Sequence, residues 1–233
     1  GGDLSIIKAL INNSNNEALN WSDSKGFKPI HYAVMSAKFE VITYFYQIDA
    51  DMFPFDNCES QTPLHLACQL GYLGIAKFYC QIIIPCSKIH DFNGFLSTFC
   101  QSKRTPLHDA CKGGQIEIVK YLLSFDSFAK KQISINSDKS PLFFACESGH
   151  LDCVKALLNF EKNFDEQQII KSFDAAILNG HVDVLSFLVK NLKIKISFIM
   201  ILTAIVNKDF DVATFLVENV FSNNEALKAY LKI

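Results

Sequence analysis

Seven stretches of this chain carry apolar residues three or four positions apart with polar residues between them. Ile116–Leu123 is the cleanest, and Leu4–Ile11, Phe39–Tyr46, Leu73–Cys80, Leu151–Leu158, Val182–Val189 and Phe210–Val217 repeat it. That spacing predicts amphipathic helices with one buried stripe. A shorter apolar segment precedes six of the seven, so the pattern reads as pairs of helices in series. Leu4–Ile11 has no such segment before it, and the chain is expected to open in the second helix of a pair.

The shorter segments share a motif. Thr62-Pro63-Leu64-His65 and Thr105-Pro106-Leu107-His108 are each followed, one residue on, by Ala-Cys. Looser copies are Lys28-Pro29-Ile30-His31-Tyr32-Ala33 and Ser140-Pro141-Leu142-Phe143-Phe144-Ala145. Pro fits the first helical position, where its missing N–H costs no intrahelical bond. A preceding Thr or Ser is a natural cap. Gly71, Gly114, Gly149 and Gly180 lie four residues after their Ala, where a left-handed turn between two helices favours Gly.

Anchored on Ala33, Ala67, Ala110, Ala145, Ala176 and Ala204, the intervals are 34, 43, 35, 31 and 28 residues. A period of about 33 residues with T-P-L-H-x-A is the ankyrin signature, and the chain resembles the ankyrin-repeat family over essentially its whole length. The resemblance implies an all-α fold, an ankyrin-repeat solenoid of stacked helix-turn-helix units with short β-hairpin-like fingers. It divides the chain, as one domain over 1–233, into a partial repeat (1–20), repeats at 21–54, 55–98, 99–133, 134–162, 163–191 and 192–221, and a terminal helix or further repeat at 222–233. Ser14–Leu19 reads Ser-Asn-Asn-Glu-Ala-Leu, and the same six residues recur at Ser222–Leu227.

The array departs from its own pattern twice. The long interval marks an insertion between Gln81 and Arg104, where Pro85 should stop a helix. Asn93-Gly94 between Phe92 and Phe95 signals a two-residue hairpin there; an extra helical turn with a loop is the alternative. Later repeats lose the finger. Ser172 and Met200 replace the motif Pro, so their first helices are expected to begin earlier, with Asn163–Glu166 as one start.

Composition narrows the function classes. The net charge of -2 gives no general reason to expect nucleic acid or an acidic membrane surface. The longest apolar run, Ile196–Val206, is too short to cross a bilayer, which takes about 20 residues, and it reads as a buried helix. The eight cysteines include no CxxC pair, which argues against a zinc or redox site. Cys68, Cys111 and Cys146 share one place in the repeat and read as small buried hydrophobes of a reducing, cytoplasmic compartment. The abundance of Phe, Ile, Lys and Asn is what an AT-rich coding sequence produces and points to a protist.

The histidines recur with the structural period, as scaffold residues do, so no catalytic residue, metal or cofactor is expected. In the family, His31, His65 and His108 would look outward to bond the Thr side chain and nearby backbone, and His150 and His181 would be structural too. The family's contacts usually come from finger tips and from the residues after the motif's Ala-Ala step. Carried onto this chain, the contact residues are Ser24, Lys25, Phe27, Glu59, Gln61, Arg104, Asp138 and Lys139 on fingers, and Met35, Gln69, Leu70, Lys112 and Glu147 on the helix ridge. Phe92 and Phe95 of the insertion join them as apolar anchors. The expected function is a non-catalytic scaffold, a monomer binding a protein partner through its concave face and fingers. The alternative is a regulatory or substrate-recruiting segment of a larger enzyme or channel.

Overall fold

Pro29, Pro63, Pro106 and Pro141 each open a short helix in the computed structural model, which describes residues 4–54, 61–83, 104–125, 129–130, 133, 139–161, 164–192 and 194–222. Among these residues there are thirteen α-helices and no strand. They fall in two compact units, Gly1–Ser137 and Asp138–Ile233.

The first unit holds α1 (Leu4–Asn13), a 3-10 turn (Glu17–Asn20), α2 (Pro29–Met35), α3 (Phe39–Gln47), α4 (Pro63–Leu70), α5 (Leu73–Ile83), α6 (Pro106–Lys112) and α7 (Ile116–Leu123). First helices pack on first helices, α2 on α4 and α4 on α6, while second helices pair as α1 with α3 and α5 with α7. The second unit holds α8 (Pro141–Glu147), α9 (Leu151–Phe160), α10 (Glu166–Leu178), α11 (Val182–Leu192), α12 (Phe198–Val206) and α13 (Phe210–Ser222). It follows the same scheme, α8 on α10 on α12 and α9 on α11 on α13.

The motif alanine sits where two first helices meet, and it is buried in all six copies. A side chain with no branches lets the backbones approach closely. Val34, Cys68, Cys111, Cys146 and Ile177, one residue on, are buried beside it. Each helix pair then turns through one closure: the N–H five residues after the motif Ala donates back to the Ala carbonyl, from Lys38, Tyr72, Gln115, His150, His181 and Asp209. This six-to-one bond requires a left-handed residue just before it. Gly71, Gly114, Gly149 and Gly180 supply it with φ of 85°, 69°, 74° and 78°. Ala37 and Lys208 are forced into the same conformation without being glycine, at φ 52° and 61°.

The later first helices do begin early. Asp165 precedes α10, which runs for 13 residues and reaches back six positions before Ser172. Ser197 opens α12, its hydroxyl accepting the N–H of Met200 at 3.4 Å. The expected burial of Ile196–Val206 does not hold. Only Ile201 and Ala204 of α12 are buried, whereas Phe198, Ile199, Leu202, Ile205 and Val206 are exposed. One face of α12 packs on α10 and α13; the other meets no described element. Glu59, Phe92, Phe95 and Asp138, the inserted hairpin and the terminal segment 223–233 lie outside the described residues.

Candidate functional site

The first finger is built around one carboxylate. Asp23 Oδ1 accepts the N–H of Lys25 at 2.9 Å and of Phe27 at 2.8 Å. The Asp23 and Phe27 backbones also close on each other at 3.1 Å, and Gly26 takes the left-handed place at φ 79°. Asp23 Oδ2 accepts the Tyr32 hydroxyl at 2.6 Å. That bond, helped by the two N–H donors, holds the Asp23 carboxyl below its ordinary range and pushes the Tyr32 phenol up. Ser24 and Lys25 stand exposed at the tip, while Phe27 lies edge-on against His31 and Tyr32 at its base.

Phe27, Gln61, Arg104 and Lys139 occupy one register, six residues before the motif Ala, yet the structure uses them differently. Gln61 is buried and reaches Gln69 Oε1 at 3.5 Å on the ridge of the same repeat. Lys139 makes the equivalent step to the ridge in the second unit, 3.6 Å from Glu147 Oε1, with its ammonium 4.7 Å from the centre of the Phe143 ring. Arg104 turns inward instead. It is 7% exposed, and its Nε donates to Asp109 Oδ1 at 2.9 Å. Gln61 Nε2 donates to the other oxygen of Asp109 at 3.3 Å, tying two repeats together. Burial raises the Asp109 carboxyl above its ordinary value, while the Arg104 guanidinium and the Gln61 hydrogen bond pull it back. Gln61 and Arg104, expected on the contact surface, are therefore interior. Asp109 is a residue that sequence reasoning missed, although it is the one acidic residue at the variable place of T-P-L-H-x-A.

The motif histidines point inward, not outward: His31, His65 and His108 are each 0% exposed. Nδ1 of His65 accepts the Thr62 N–H at 3.3 Å, and Nδ1 of His108 accepts the Thr105 N–H at 3.0 Å. An N–H donor fixes that nitrogen as the acceptor, so the ring is neutral and the proton sits on Nε2. The Thr hydroxyls then donate to the same nitrogen, at 2.8 Å and 2.7 Å. His31 completes the pattern: Nδ1 takes the Lys28 N–H at 3.0 Å and Nε2 donates to the Pro54 carbonyl at 3.2 Å. A first-turn ring that binds the cap N–H does the work of the Glu in a capping box. Where Phe143 replaces His, no ring takes the cap N–H, and Ser140 Oγ accepts the N–H of Phe143 at 3.2 Å. These rings are structural, and their Nδ1 lone pairs are already used.

A second set of scaffold contacts was also unread in the sequence. The residue five after the motif Ala donates to a carbonyl near the end of the first helix one repeat earlier. Tyr72 Oη reaches Met35 O at 3.3 Å and Gln115 Nε2 reaches Gln69 O at 3.3 Å. His181 Nε2 reaches Glu147 O at 3.0 Å. Three unlike side chains make one bond, so only the shared register could have revealed it.

Nucleophilic chemistry finds no foothold in the described thiols. Cys68, Cys80, Cys111, Cys146 and Cys153 are free and buried. Burial pushes Cys80 and Cys146 up to about 12, Cys153 up to about 11, and Cys68 well above its ordinary value. Such thiols carry negligible thiolate at neutral pH. Among the described residues no group of His, Cys, Asp and Glu is placed to hold a metal ion, and no helix is long and apolar enough to cross a membrane.

The remaining expected contact residues do reach the surface. Ser24, Lys25, Leu70 and Lys139 are exposed, and Phe27, Met35, Gln69, Lys112 and Glu147 are half-buried. Comparison with known proteins then bears on the scaffold that displays them. A family model described as ankyrin repeats matches in three copies, over residues 1–81, 80–168 and 130–199. No curated protein matches the chain. The human ASB11 ankyrin repeat domain, known from a crystal structure, is 24% identical, with a TM-score of 0.52 over 68% of this chain and 69% of that one. At that identity the likeness speaks to fold alone.

Proposed function

This chain belongs to the ankyrin-repeat family, whose repeats generally mediate protein–protein interaction, and on that premise we propose that it is a non-catalytic module binding a partner polypeptide. The contacts come from finger tips and from the outer ends of first helices. The observation that carries this reading is the Asp23–Phe27 turn, pinned by its own carboxylate so that Ser24 and Lys25 are presented in a fixed conformation. A pre-ordered loop loses little entropy on binding. In the first unit Leu70 and the half-buried Met35, Gln69 and Lys112 lie on the first-helix ends, an interleaving of apolar, polar and cationic groups that suits a polypeptide better than a polyanion. In the second unit Lys139 and Glu147 play that part. The module acts as a monomer, and in a reducing compartment, with which the free, buried thiols among the described residues accord.

The test is affinity capture from native cells with wild type and with a Lys25→Glu, Leu70→Glu, Lys112→Glu variant. A partner retained by wild type and lost by the variant, with thermal unfolding unchanged, is the expected result. Equal capture by both removes the finger-and-ridge surface as the site.

A further inference from the structure

Asp174 stands two residues before the motif Ala176, the place that His31, His65 and His108 fill in the first unit. Those rings are fully buried, and His31 Nε2 donates to the Pro54 carbonyl on the way into the next repeat. A carboxylate has no N–H to give and can only accept. Asp174 is half-buried between the buried Phe173 and Ala175, and no donor or cation among the described residues meets it. Burial alone acts on its carboxyl, pushing it above the ordinary value. The charges of the preceding repeat offer no compensation, since Lys139 and Glu147 pair with each other.

α10 packs on α8 and on α12, so both of its flanks are occupied. Ile170 and Leu178, four residues before and after Asp174, lie on the same face of the helix and are 39% and 56% exposed. The carboxylate thus sits between two apolar side chains at the surface. A desolvated charge with no partner costs stability, and sequences keep such breaches of local rules at functional sites.

We propose that Asp174 anchors a docking site for an arginine of the partner polypeptide, with an apolar residue of the partner on Ile170 and another on Leu178. The smallest segment that meets all three is an extended one. Along an extended chain, side chains two apart share a face and stand about 7 Å from one another. That matches the steps of about 6 Å between Ile170, Asp174 and Leu178 along the helix axis. The fitting sequence is therefore apolar, any, Arg, any, apolar. Arginine suits the site better than lysine, because its guanidinium is more weakly hydrated and can hold both carboxylate oxygens at once. This proposal rests on the reading of the chain as a polypeptide-binding module and gives its second unit a partner chemistry.

The test is a displayed library of random short peptides selected on the full chain, with the Asp174→Lys variant as counter-selection. Enrichment of Arg with apolar residues two places to either side is the expected result. An enriched peptide, synthesised and fluorescently labelled, should bind Asp174→Asn about tenfold more weakly in anisotropy, the scale of one charged hydrogen bond. Leu178→Glu should abolish binding, and Glu40→Lys, at an exposed acid of the first unit, should leave it unchanged. Asp174→Asn removes an unpaired charge, so its urea midpoint should equal or exceed that of wild type, which separates lost binding from lost folding. Enriched peptides without a cation, or peptides that bind wild type and Asp174→Lys alike, overturn this site. Peptides lost only with the Lys25→Glu, Leu70→Glu, Lys112→Glu variant overturn it while supporting the module reading. No enrichment overturns this site alone, because capture from cells decides the module reading independently.

Discussion

Asp109 shows how a single side chain holds two repeats together. A buried carboxylate is costly unless its charge is met, and Arg104 and Gln61 meet it from two different repeats. Arg104→Ala leaves that charge unpaired and should cost about 3–5 kcal/mol in urea unfolding. Because burial raises the Asp109 carboxyl, the folded state holds its proton more tightly than the unfolded chain does. Its contribution is therefore greatest below the ordinary Asp value of 3.8 and is lost as pH rises through the raised folded value. Asp109→Asn should gain stability relative to wild type across that rise, a difference read from urea midpoints at stepped pH. Ala37 is a simpler case, an L-residue held at φ 52° where other repeats place Gly. Ala37→Gly should stabilise by about 0.5–1 kcal/mol, the left-handed penalty less the entropy of glycine, seen as a higher urea midpoint. The sequence pointed to Arg104 as a finger residue and was mistaken, because register alone does not show where a long side chain turns. Its destination, Asp109, lies five residues further on in the buried helix.

The helices were the most legible feature. Ile116–Leu123 matches α7 to the residue, and the four motif prolines mark four helix starts, because caps and turns are fixed by local chemistry. What joins one helix pair to the next was far less visible. Tyr72, Gln115 and His181 share a register and a bond but no chemical type, so no motif search aligns them. Gln115→Leu should cost about 1 kcal/mol, the net worth of one hydrogen bond. Gln115→His should recover most of it, since His181 already makes the same bond; equilibrium unfolding of the three forms decides the matter. The Ile196–Val206 run taught the opposite lesson. Its hydropathy promised burial, but burial requires a neighbour, and α12 has one on a single face only.

At the scale of the molecule, the described residues of α12 leave Phe198, Ile199, Leu202, Ile205 and Val206 exposed together. Apolar patches of this kind promote association. Leu202→Lys with Ile205→Lys should raise solubility and delay aggregation in light scattering, while shifting stability by less than about 0.5 kcal/mol as surface changes do. The site was legible only in part at this scale. Ser24, Lys25 and Leu70 face solvent as their registers suggested, but a groove beside α1 belongs to no motif, being lined from several elements at once. One consequence of the Tyr72 and Gln115 ties reaches beyond stability. Each joins only a repeat to the one before it, so a tensile load along the unit passes through them in series, never shared between them. The weakest link yields first while its neighbours hold. Each repeat of about 33 residues would then release roughly 110 Å of extended chain, so that under force the stack lengthens in steps, as a spring that gives way one coil at a time.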